Sequence, residues 1–186
     1  ETVTVAADDG VRRDTTAESL AGLRPAFDRE HGTITAGNAS QITDGAAAVV
    51  LVSDRYAAEH GLAGLARIRA TGLVAGPDVS LHAQPSNAIL QALGRMGGAA
   101  TDLAAVEINE AFAAVGIVST RELGVDPAIV NANGGAIALG HPIGASGARI
   151  VGHLARRLQA AGSGSLGAVG ICGGGGQGSA IVLEAL

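Results

Sequence analysis

The stretch NANGGAIALGHPIGASGAR, residues 131–149, is the most informative part of this 186-residue sequence. It places His141 between Gly140 and Pro142, in a glycine-rich loop that precedes a helical pattern. Histidine has an ordinary pKa of about 6.5, which suits proton transfer or hydrogen bonding near neutral pH. The glycines allow a substrate and the backbone to approach closely. A lone histidine is more commonly structural, so this loop by itself leaves both interpretations open.

The same loop permits another interpretation, in which residues 144–147 begin a phosphate-binding helix. No lysine and no preceding strand of the P-loop type accompany these glycines, which disfavours that interpretation.

Outward from this loop, apolar runs alternate with helical patterns along the chain. The predicted strands cover residues 46–52, 65–74, 103–108, 129–130, 166–172 and 179–183. The predicted helices cover residues 54–61 with Asp54 as the N-cap, 85–96, 111–123 and 145–161. In the last helix Ile150, Val151, Leu154 and Leu158 form one stripe, and Arg149, Arg156 and Arg157 are expected to face away.

This alternation predicts an α/β layered domain with a mixed sheet flanked by helices. The last two strands are too close together for a helical crossover, so we expect them to pair antiparallel.

Composition excludes several classes of protein. The chain is 47% hydrophobic and 16% charged, enough for a packed core, and its 2% aromatic content predicts a core of Ala, Val, Ile and Leu. The net charge of −5 disfavours nucleic acid as a partner. A single cysteine excludes an internal disulfide and a cysteine-based zinc site, and we expect no metal. No apolar stretch approaches the roughly 18 residues of a membrane span, and no signal peptide is visible, so we expect no membrane association and a cytoplasmic protein.

Two further segments carry groups suited to chemistry. NEAF, residues 109–112, lies where a strand ends and a helix begins, so Asn109 could hold a water or a substrate oxygen, or could simply cap the helix. CGGGGQG, residues 172–178, opens with the single cysteine at a strand end. A cysteine in an apolar strand is usually inert. The four glycines after it have no evident role in core packing and expose backbone N–H groups suited to an oxyanion site, which favours a functional interpretation.

Together, NEAF, GHP at residues 140–142 and the CxGGG-type run at residues 172–176 resemble the thiolase family in order and spacing. TAGNASQITDGAAAV, residues 35–49, also resembles that family, so the resemblance spans essentially the whole chain. It implies a thiolase-like fold in three parts. Residues 1–42 would be the tail of the CoA-binding loop domain, residues 43–64 the last strand and helix of the N-terminal domain, and residues 65–186 the C-terminal domain.

The resemblance also implies an acyltransferase that condenses two acetyl-CoA to acetoacetyl-CoA plus CoA, reversibly. Cys172 would take the α-proton, and His141 would activate the nucleophile and donate to the enolate oxygen. Asn109 would hold the water that completes this oxyanion site, and the N–H of Gly174 would serve a second one. Implied substrate contacts are Ser40 for the pantetheine arm, Phe112 in the pocket, and Arg13 and Ser19 at the nucleotide end of CoA.

The only cysteine matches the proton-transfer position of the family, so the acyl-accepting cysteine is expected in an N-terminal thiolase half on the same or a separate chain. An exposed apolar face predicts that partner or a homo-oligomer, either dimer or tetramer. CoA thioesters are expected as substrates, with no cofactor.

Two alternatives stay open at this point. One is a degradative 3-ketoacyl-CoA thiolase of fatty-acid β-oxidation. The other is a non-catalytic acyl-CoA- or lipid-binding module, which the presence of His141, Cys172 and Asn109 together disfavours. Ketosynthases share the fold but use paired histidines where this chain has Cys172.

Overall fold

The computed structural model describes residues 3–4, 6–8 and 10–186. The chain forms two compact units, divided between Gly37 and Asn38. In the first unit, helix α1 (Ala17–Ala21) begins after Thr16, whose hydroxyl accepts a hydrogen bond from the Ser19 N–H. The Ser19 hydroxyl in turn accepts from the Thr16 N–H, so two backbone donors at the helix start are satisfied reciprocally.

The second unit is built on a four-stranded sheet with the order β1-β4-β3-β2. The strands are β1 (Ala66–Ala75), β2 (Leu103–Ile108), β3 (Leu166–Gly173) and β4 (Gln177–Ala185). β2 and β3 pair parallel, whereas β4 pairs antiparallel with both β1 and β3. The predicted mixed sheet and the antiparallel pairing of the last two strands are therefore confirmed.

Five helices belong to this unit: α2 (Asp54–Glu59), α3 (Gln84–Met96), α4 (Ala113–Leu123), α5 (Ala136–Leu139) and α6 (Ile143–Ala161). The sequence pattern did not indicate α5. The predicted strand at residues 129–130 is instead the end of a 3₁₀ turn, Pro127–Ile129, followed by a single bridge between Val130 and Val106 on β2.

Helices cover both faces of the sheet, so the unit has three layers. Helices α3 and α4 pack on one face, in a cluster that includes Ile89, Val106, Ile108, Val115 and Val182. Helix α6 packs on the other face, in a cluster that includes Ile150, Leu154, Leu158, Val169 and Leu183. Along β3, alternate residues enter opposite clusters, with Ala168 and Cys172 on the α3 side and Val169 and Ile171 on the α6 side, as the two-residue period of a strand requires. The core consists mostly of Ala, Val, Ile and Leu, as the composition predicted.

The predicted strand at residues 46–52 is wrong. These residues have no regular secondary structure, and their apolar side chains are exposed, with Val50 at 88%. A strand needs a neighbour for its N–H and C=O groups, and the described sheet offers this segment none. The predicted cap of α2 is also shifted by one residue, because the Ser53 side chain, not Asp54, accepts from the N–H of Tyr56.

The expectation that Arg157 faces solvent is also wrong. Its guanidinium donates to Glu107 Oε1 at 2.6 Å and to the Val106 and Ile129 carbonyls at 3.1 and 2.9 Å. Glu107 is only 1% exposed. A carboxylate at such a depth needs a charged partner, and the helical period places residue 157 at the border of the apolar stripe, within reach of β2.

None of the helices in the described part of the chain combines the length and the apolar character that crossing a bilayer requires.

Close packing of α3 on β1 generates a stability prediction. A Cβ added to Gly72 in β1 would overlap the carbonyl oxygen of Ala88 in α3. We expect Gly72→Ala to lower the free energy of unfolding by about 1–3 kcal/mol, because one of the two elements must move. Gly152→Ala is the matched control, since a Cβ there meets nothing within 4 Å in helix α6. It should stabilise the chain by about 0.4–1 kcal/mol. Urea unfolding of both variants measures this, and equal stability of Gly72→Ala and the unaltered chain would contradict the packing.

Candidate functional site

Asn109 is held at the carboxyl end of β2. Its backbone N–H donates to the Gly170 carbonyl of β3 at 2.9 Å, so its position is fixed by the sheet. The side chain is buried, and its Nδ2 lies 3.2 Å from Nε2 of His141. Its Oδ1 is buried without a hydrogen-bond partner among the described residues. An unpaired buried oxygen costs free energy, so this atom is suited to bind a donor from a water or a ligand.

His141 lies in the loop between α5 and α6 and is half-buried. Its Nδ1 lies 2.6 Å from the hydroxyl oxygen of Ser146, so both ring nitrogens have neighbours in the site. Burial, reinforced by the positive charge of Arg149, lowers the pKa of His141 below its ordinary value. Burial and a nearby cation both disfavour the charged ring, so the imidazole is neutral over a wider pH range.

Two polar side chains, Glu110 and Asn131, fasten the loop that leads to His141. The Asn131 carboxamide accepts from the Ile108 N–H at 2.9 Å and donates to the Ile108 carbonyl at 2.8 Å. It also donates to Glu110 Oε1 at 2.6 Å. Glu110 Oε2 accepts from the Ile137 N–H at 3.1 Å, and a side chain at Gly135 would overlap this carboxylate. The loop is thereby tied to the end of the strand that carries Asn109.

Ser40 belongs to a segment that contacts both the NEAF stretch, at Ala111, and the His141 loop. Its N–H and its hydroxyl both donate to the Ala111 carbonyl, at 3.0 and 3.1 Å. Further along this segment, Ile42 forms a bridge with His141. The only hydroxyl proton of Ser40 is used by Ala111, so this side chain could contact a ligand only as an acceptor. Its contact with the pantetheine arm stays a prediction.

Cys172 lies near the end of β3, two residues beyond the Gly170 that binds Asn109. It is half-buried and packs against the α3–α4 cluster. Burial raises the pKa of its thiol above the ordinary value, so the thiol form dominates at neutral pH. No contact between Cys172 and His141 is among the hydrogen bonds of the site, and their shared pocket stays a prediction.

The glycine run after Cys172 has a packing role that the sequence did not reveal. A Cβ at Gly176 would overlap the Asp78 carbonyl oxygen, and Gly175 and Gly176 both have positive φ, at 81° and 73°. These two glycines therefore form the β3–β4 turn and let the backbone of residue 78 approach it. The expectation that the run has no role in packing is wrong for Gly176. Gly174 is exposed in open space, which leaves its proposed oxyanion role untested.

Two of the remaining predicted contact residues have structural roles of their own. Phe112 is half-buried against the α3–α4 cluster at the start of α4, and Ser19 completes the cap of α1. Arg13 is exposed in the first unit. The roles of these residues toward CoA stay predictions. No group of three or more His, Cys, Asp or Glu side chains in the described ranges could hold a metal ion.

Comparison with known proteins supports one assignment. The pattern described as "Thiolase, C-terminal domain" matches residues 62–185, two thirds of the chain, and "Thiolase, N-terminal domain" matches residues 1–55. The chain belongs to the thiolase family. A probable acetyl-CoA acetyltransferase of Mycolicibacterium smegmatis is 61% identical over 96% of this chain and 46% of its own length. The acetyl-CoA acetyltransferase of Escherichia coli is 48% identical over 96% of this chain and 45% of its own length.

Solved thiolase structures share the fold. The Bacillus anthracis acetyl-CoA acetyltransferase is similar with a TM-score of 0.85 and 43% identity over 94% of this chain and 44% of that one. Human mitochondrial 3-ketoacyl-CoA thiolase in complex with CoA has a TM-score of 0.85 and is 40% identical, and the match covers 98% of this chain and 46% of that one. The chain thus spans about half the length of the curated thiolases it matches.

Sequence reasoning missed three residues that build this candidate site: Ser146, Glu110 and Asn131. All three lie inside the quoted segments, but only the positive φ of Asn131, 46°, distinguishes its backbone, and a sequence does not report it. Their contacts join residues 5 to 27 positions apart in a fold-dependent way, so no helical or strand period indicates them.

The carboxylate of Glu110 generates a prediction that this chain alone can test. In Glu110→Gln the side-chain shape is kept, but one of the two donors, Asn131 Nδ2 or Ile137 N–H, must face an amide NH₂. We expect a loss of about 1–3 kcal/mol in unfolding free energy and faster hydrogen exchange at the Ile137 amide. Glu122→Gln, on the exposed side of α4, is the charge-matched control and should change neither. Unaltered exchange at Ile137 in Glu110→Gln would show that the carboxylate does not hold this loop.

Proposed function

We propose that the complete protein to which this chain contributes is an acyl-CoA C-acyltransferase, which reversibly condenses two acetyl-CoA into acetoacetyl-CoA and CoA. What supports the proposal is the buried contact between Asn109 and His141, which brings a neutral imidazole and an amide with an unpaired oxygen to one strand end. Such a pair can hold and polarise a carbonyl or enolate oxygen in a water-poor setting, where hydrogen bonds to developing charge are most effective.

In the condensation direction, the thiolate of Cys172 takes the α-proton of a bound acetyl thioester. The C–H electron pair becomes the enolate, whose oxygen accepts hydrogen bonds from His141, once its Nε2 carries the proton of the acyl-accepting thiol, and from a water on Asn109. The enolate carbon then attacks the thioester carbon of an acyl-enzyme, a C–C bond forms, and the C–S bond breaks. The departing thiolate of the acyl-accepting cysteine takes back from Nε2 of His141 the proton that it gave up on activation, and the overall reaction consumes no oxidant or reductant.

The pKa shifts of Cys172 and His141 determine the protonation state in which each side chain enters the reaction. Because burial raises the pKa of Cys172, the resting residue is a thiol, the form that must protonate the departing carbon in thiolysis. The thiolate that condensation needs is scarcer, but it is a stronger base once formed. The lowered pKa of His141 keeps that ring neutral and able to accept a proton from the acyl-accepting thiol.

We propose that the acyl-accepting cysteine lies in an N-terminal thiolase half that covers the exposed apolar residues around the site. Ile42 and Ile143 flank His141, and the Ile143 side chain is 82% exposed. Val50 and Leu51 are also exposed and belong to the segment without a strand partner. Residues 43–47 and 142–145 also line an open groove of about 320 Å³. Under this proposal residues 43–64 complete that half, residues 1–42 form part of a CoA-binding loop domain, and residues 65–186 form the C-terminal domain.

Acetyl-CoA is our first substrate because the curated relatives with 47–61% identity carry the name acetyl-CoA acetyltransferase, among them those of M. smegmatis and Shinella zoogloeoides. A 3-ketoacyl-CoA thiolase is the second candidate, supported by the 40% identity to the human mitochondrial structure of that name. We also propose a cytoplasmic homo-oligomer, in which Ser40, Phe112, Arg13 and Ser19 contact CoA as the family resemblance implies.

The first test is reconstitution. We expect this chain alone to show no thiolysis of acetoacetyl-CoA, because its single cysteine is assigned to proton transfer. Mixing it with the N-terminal part of the M. smegmatis relative, the part that lies outside the matched segment, should produce thiolysis. The loss of acetoacetyl-CoA measures this reaction. That N-terminal part alone is the control. Robust turnover by the verified 186-residue chain would mean that the nucleophile has been misassigned.

The second test separates catalysis from mere binding of acyl-CoA. In the reconstituted enzyme, Cys172→Ala should reduce deuterium uptake at the acetyl methyl of acetyl-CoA by roughly 10²–10⁴-fold, the usual worth of a positioned acid–base group. Acylation of the partner cysteine should persist in part, and CoA binding should hardly change. Ile171→Val alters the neighbouring residue, which packs on the α6 side of the sheet, and is the control. Mass spectrometry in heavy water reports the uptake, and exchange at the unaltered rate in Cys172→Ala would favour an inert cysteine.

A further inference from the structure

Ser146 is hydrogen-bonded to Nδ1 of His141, the ring nitrogen that faces away from Asn109. It is 0% exposed and lies in the first turn of α6. Its hydroxyl oxygen is 2.6 Å from His141 Nδ1 and 3.0 Å from the Pro142 carbonyl oxygen. A serine hydroxyl carries a single proton, so it can donate to only one of these two atoms at a time.

The neighbouring groups decide which atom receives that proton. Asn109 presents its Nδ2 to the outer nitrogen, Nε2, at 3.2 Å, and an amide NH₂ can only donate. In this orientation of the amide Nε2 accepts, which leaves the ring proton of a neutral imidazole on Nδ1. Nδ1–H then donates to Ser146 Oγ, and the hydroxyl proton points to the Pro142 carbonyl. Every donor in this chain of contacts has an acceptor, and the hydroxyl that donates onward becomes a better acceptor itself.

From this geometry we propose that Ser146 is a positioning residue that fixes His141 in the Nδ1–H tautomer and so presents a basic Nε2 to the site. The partner of one ring nitrogen determines which nitrogen is left free for chemistry. Ser146 plays this part without bringing a charge into the core. After Nε2 has taken a proton, Nδ1–H still has Ser146 as its acceptor, so the cation is stabilised by the same contact.

The same side chains can also accommodate the Nε2–H tautomer of His141. The role of Ser146 is therefore testable. Turning the Asn109 amide would bring its unpartnered Oδ1 to Nε2, and that oxygen would then require an Nε2–H donor. Without the Ser146 hydroxyl, Nδ1–H would be left without an acceptor in a half-buried ring, which favours this turned arrangement. Nε2 would then no longer be available as a base.

The primary experiment measures the tautomer directly and requires no activity. In the 186-residue chain labelled with ¹⁵N-histidine, two-bond ¹H–¹⁵N correlations at a pH where the ring is neutral distinguish Nδ1–H from Nε2–H. His141→Gln assigns the signal among the five histidines. We expect His141 to carry its proton on Nδ1 in the unaltered chain, and the Ser146→Ala variant to shift toward Nε2–H. A proton on Nε2 in the unaltered chain would overturn the proposal, whether or not any variant folds.

Two variants separate positioning from a general loss of packing. Ser86→Ala is the matched control, because Ser86 is also 0% exposed and its hydroxyl donates to a backbone carbonyl, that of Ala83, at 2.7 Å. It should leave the His141 signal unchanged. Ser146→Thr keeps a hydroxyl and should restore the Nδ1–H tautomer. A shift of equal size in Ser86→Ala, or no shift in a folded Ser146→Ala, would overturn the assignment.

The importance of this tautomer for turnover rests on the proposed function and has a separate readout. In the reconstituted enzyme, Ser146→Ala should lower kcat for thiolysis by up to roughly 10²–10⁴-fold, with a smaller change in KM, because binding of CoA does not use the ring proton. Full activity of Ser146→Ala would overturn the positioning role even if the tautomer shifts. An inactive reconstituted wild type with His141 in the Nδ1–H form would instead reject the proposed reaction and retain the tautomer assignment.

Discussion

The geometry of the site depends on the hydrogen bonds that the Asn131 carboxamide makes. It pairs with both backbone groups of Ile108, the last residue of β2, and uses its remaining donor on Glu110. β2 is an edge strand, so without this side chain the end of the strand would present unpaired backbone groups where Asn109 must be held. The carboxylate of Glu110 makes the contact with Asn131 charge-assisted, and such bonds contribute about 1.5–3 kcal/mol each. Fixing residues 131–137 in this way sets the start of α6 and therefore the position of His141.

The sheet supplies the second constraint, because it places reactive groups on a rigid frame. Asn109 is bound through its backbone to β3, the strand that carries Cys172 two residues further along. α3 packs so close to β1 that glycine is required at residue 72, and Gly176 meets the backbone of residue 78 in the same way. Backbone-to-backbone packing leaves little room for displacement, which suits a site whose reacting atoms must be held within a fraction of an ångström. The low aromatic content follows, since large rings would keep these layers apart.

The elements that could be predicted from the sequence are those with a strong period and a partner within the chain. The helical stripe at Ile150, Leu154 and Leu158 and the apolar run of β2 were located nearly to the residue. Residues 46–52 have an equally apolar pattern, but they form no strand, because a pattern indicates burial and does not supply the neighbouring strand. Arg157 was misplaced because its partner, the buried carboxylate of Glu107, comes from an element 50 residues away.

The residues of the candidate site also fall into those that the sequence could indicate and those that it could not. Asn109, His141 and Cys172 could be named from the sequence because residue type, glycine context and family resemblance coincide at those positions. Ser146, Glu110 and Asn131 could not be singled out, because a serine or an acid in a polar loop is equally suited to a solvated surface. Their importance comes from three-dimensional contacts alone, such as the 2.6 Å between Ser146 and the His141 ring.

At this end of the sheet, the same physical cause shifts the pKa values of His141 and Cys172 in opposite directions. Burial acts on both, but it disfavours whichever form is charged, so it lowers the pKa of His141 and raises the pKa of Cys172. The result is an imidazole and a thiol that are both neutral near pH 7. A reversible carbon–carbon bond reaction needs such a pair, because each group must donate in one direction of the reaction what it accepts in the other. In the proposed reaction, neutral resting forms would also avoid a permanent ion pair, which would stabilise the ground state and compete with the substrate oxygen for His141.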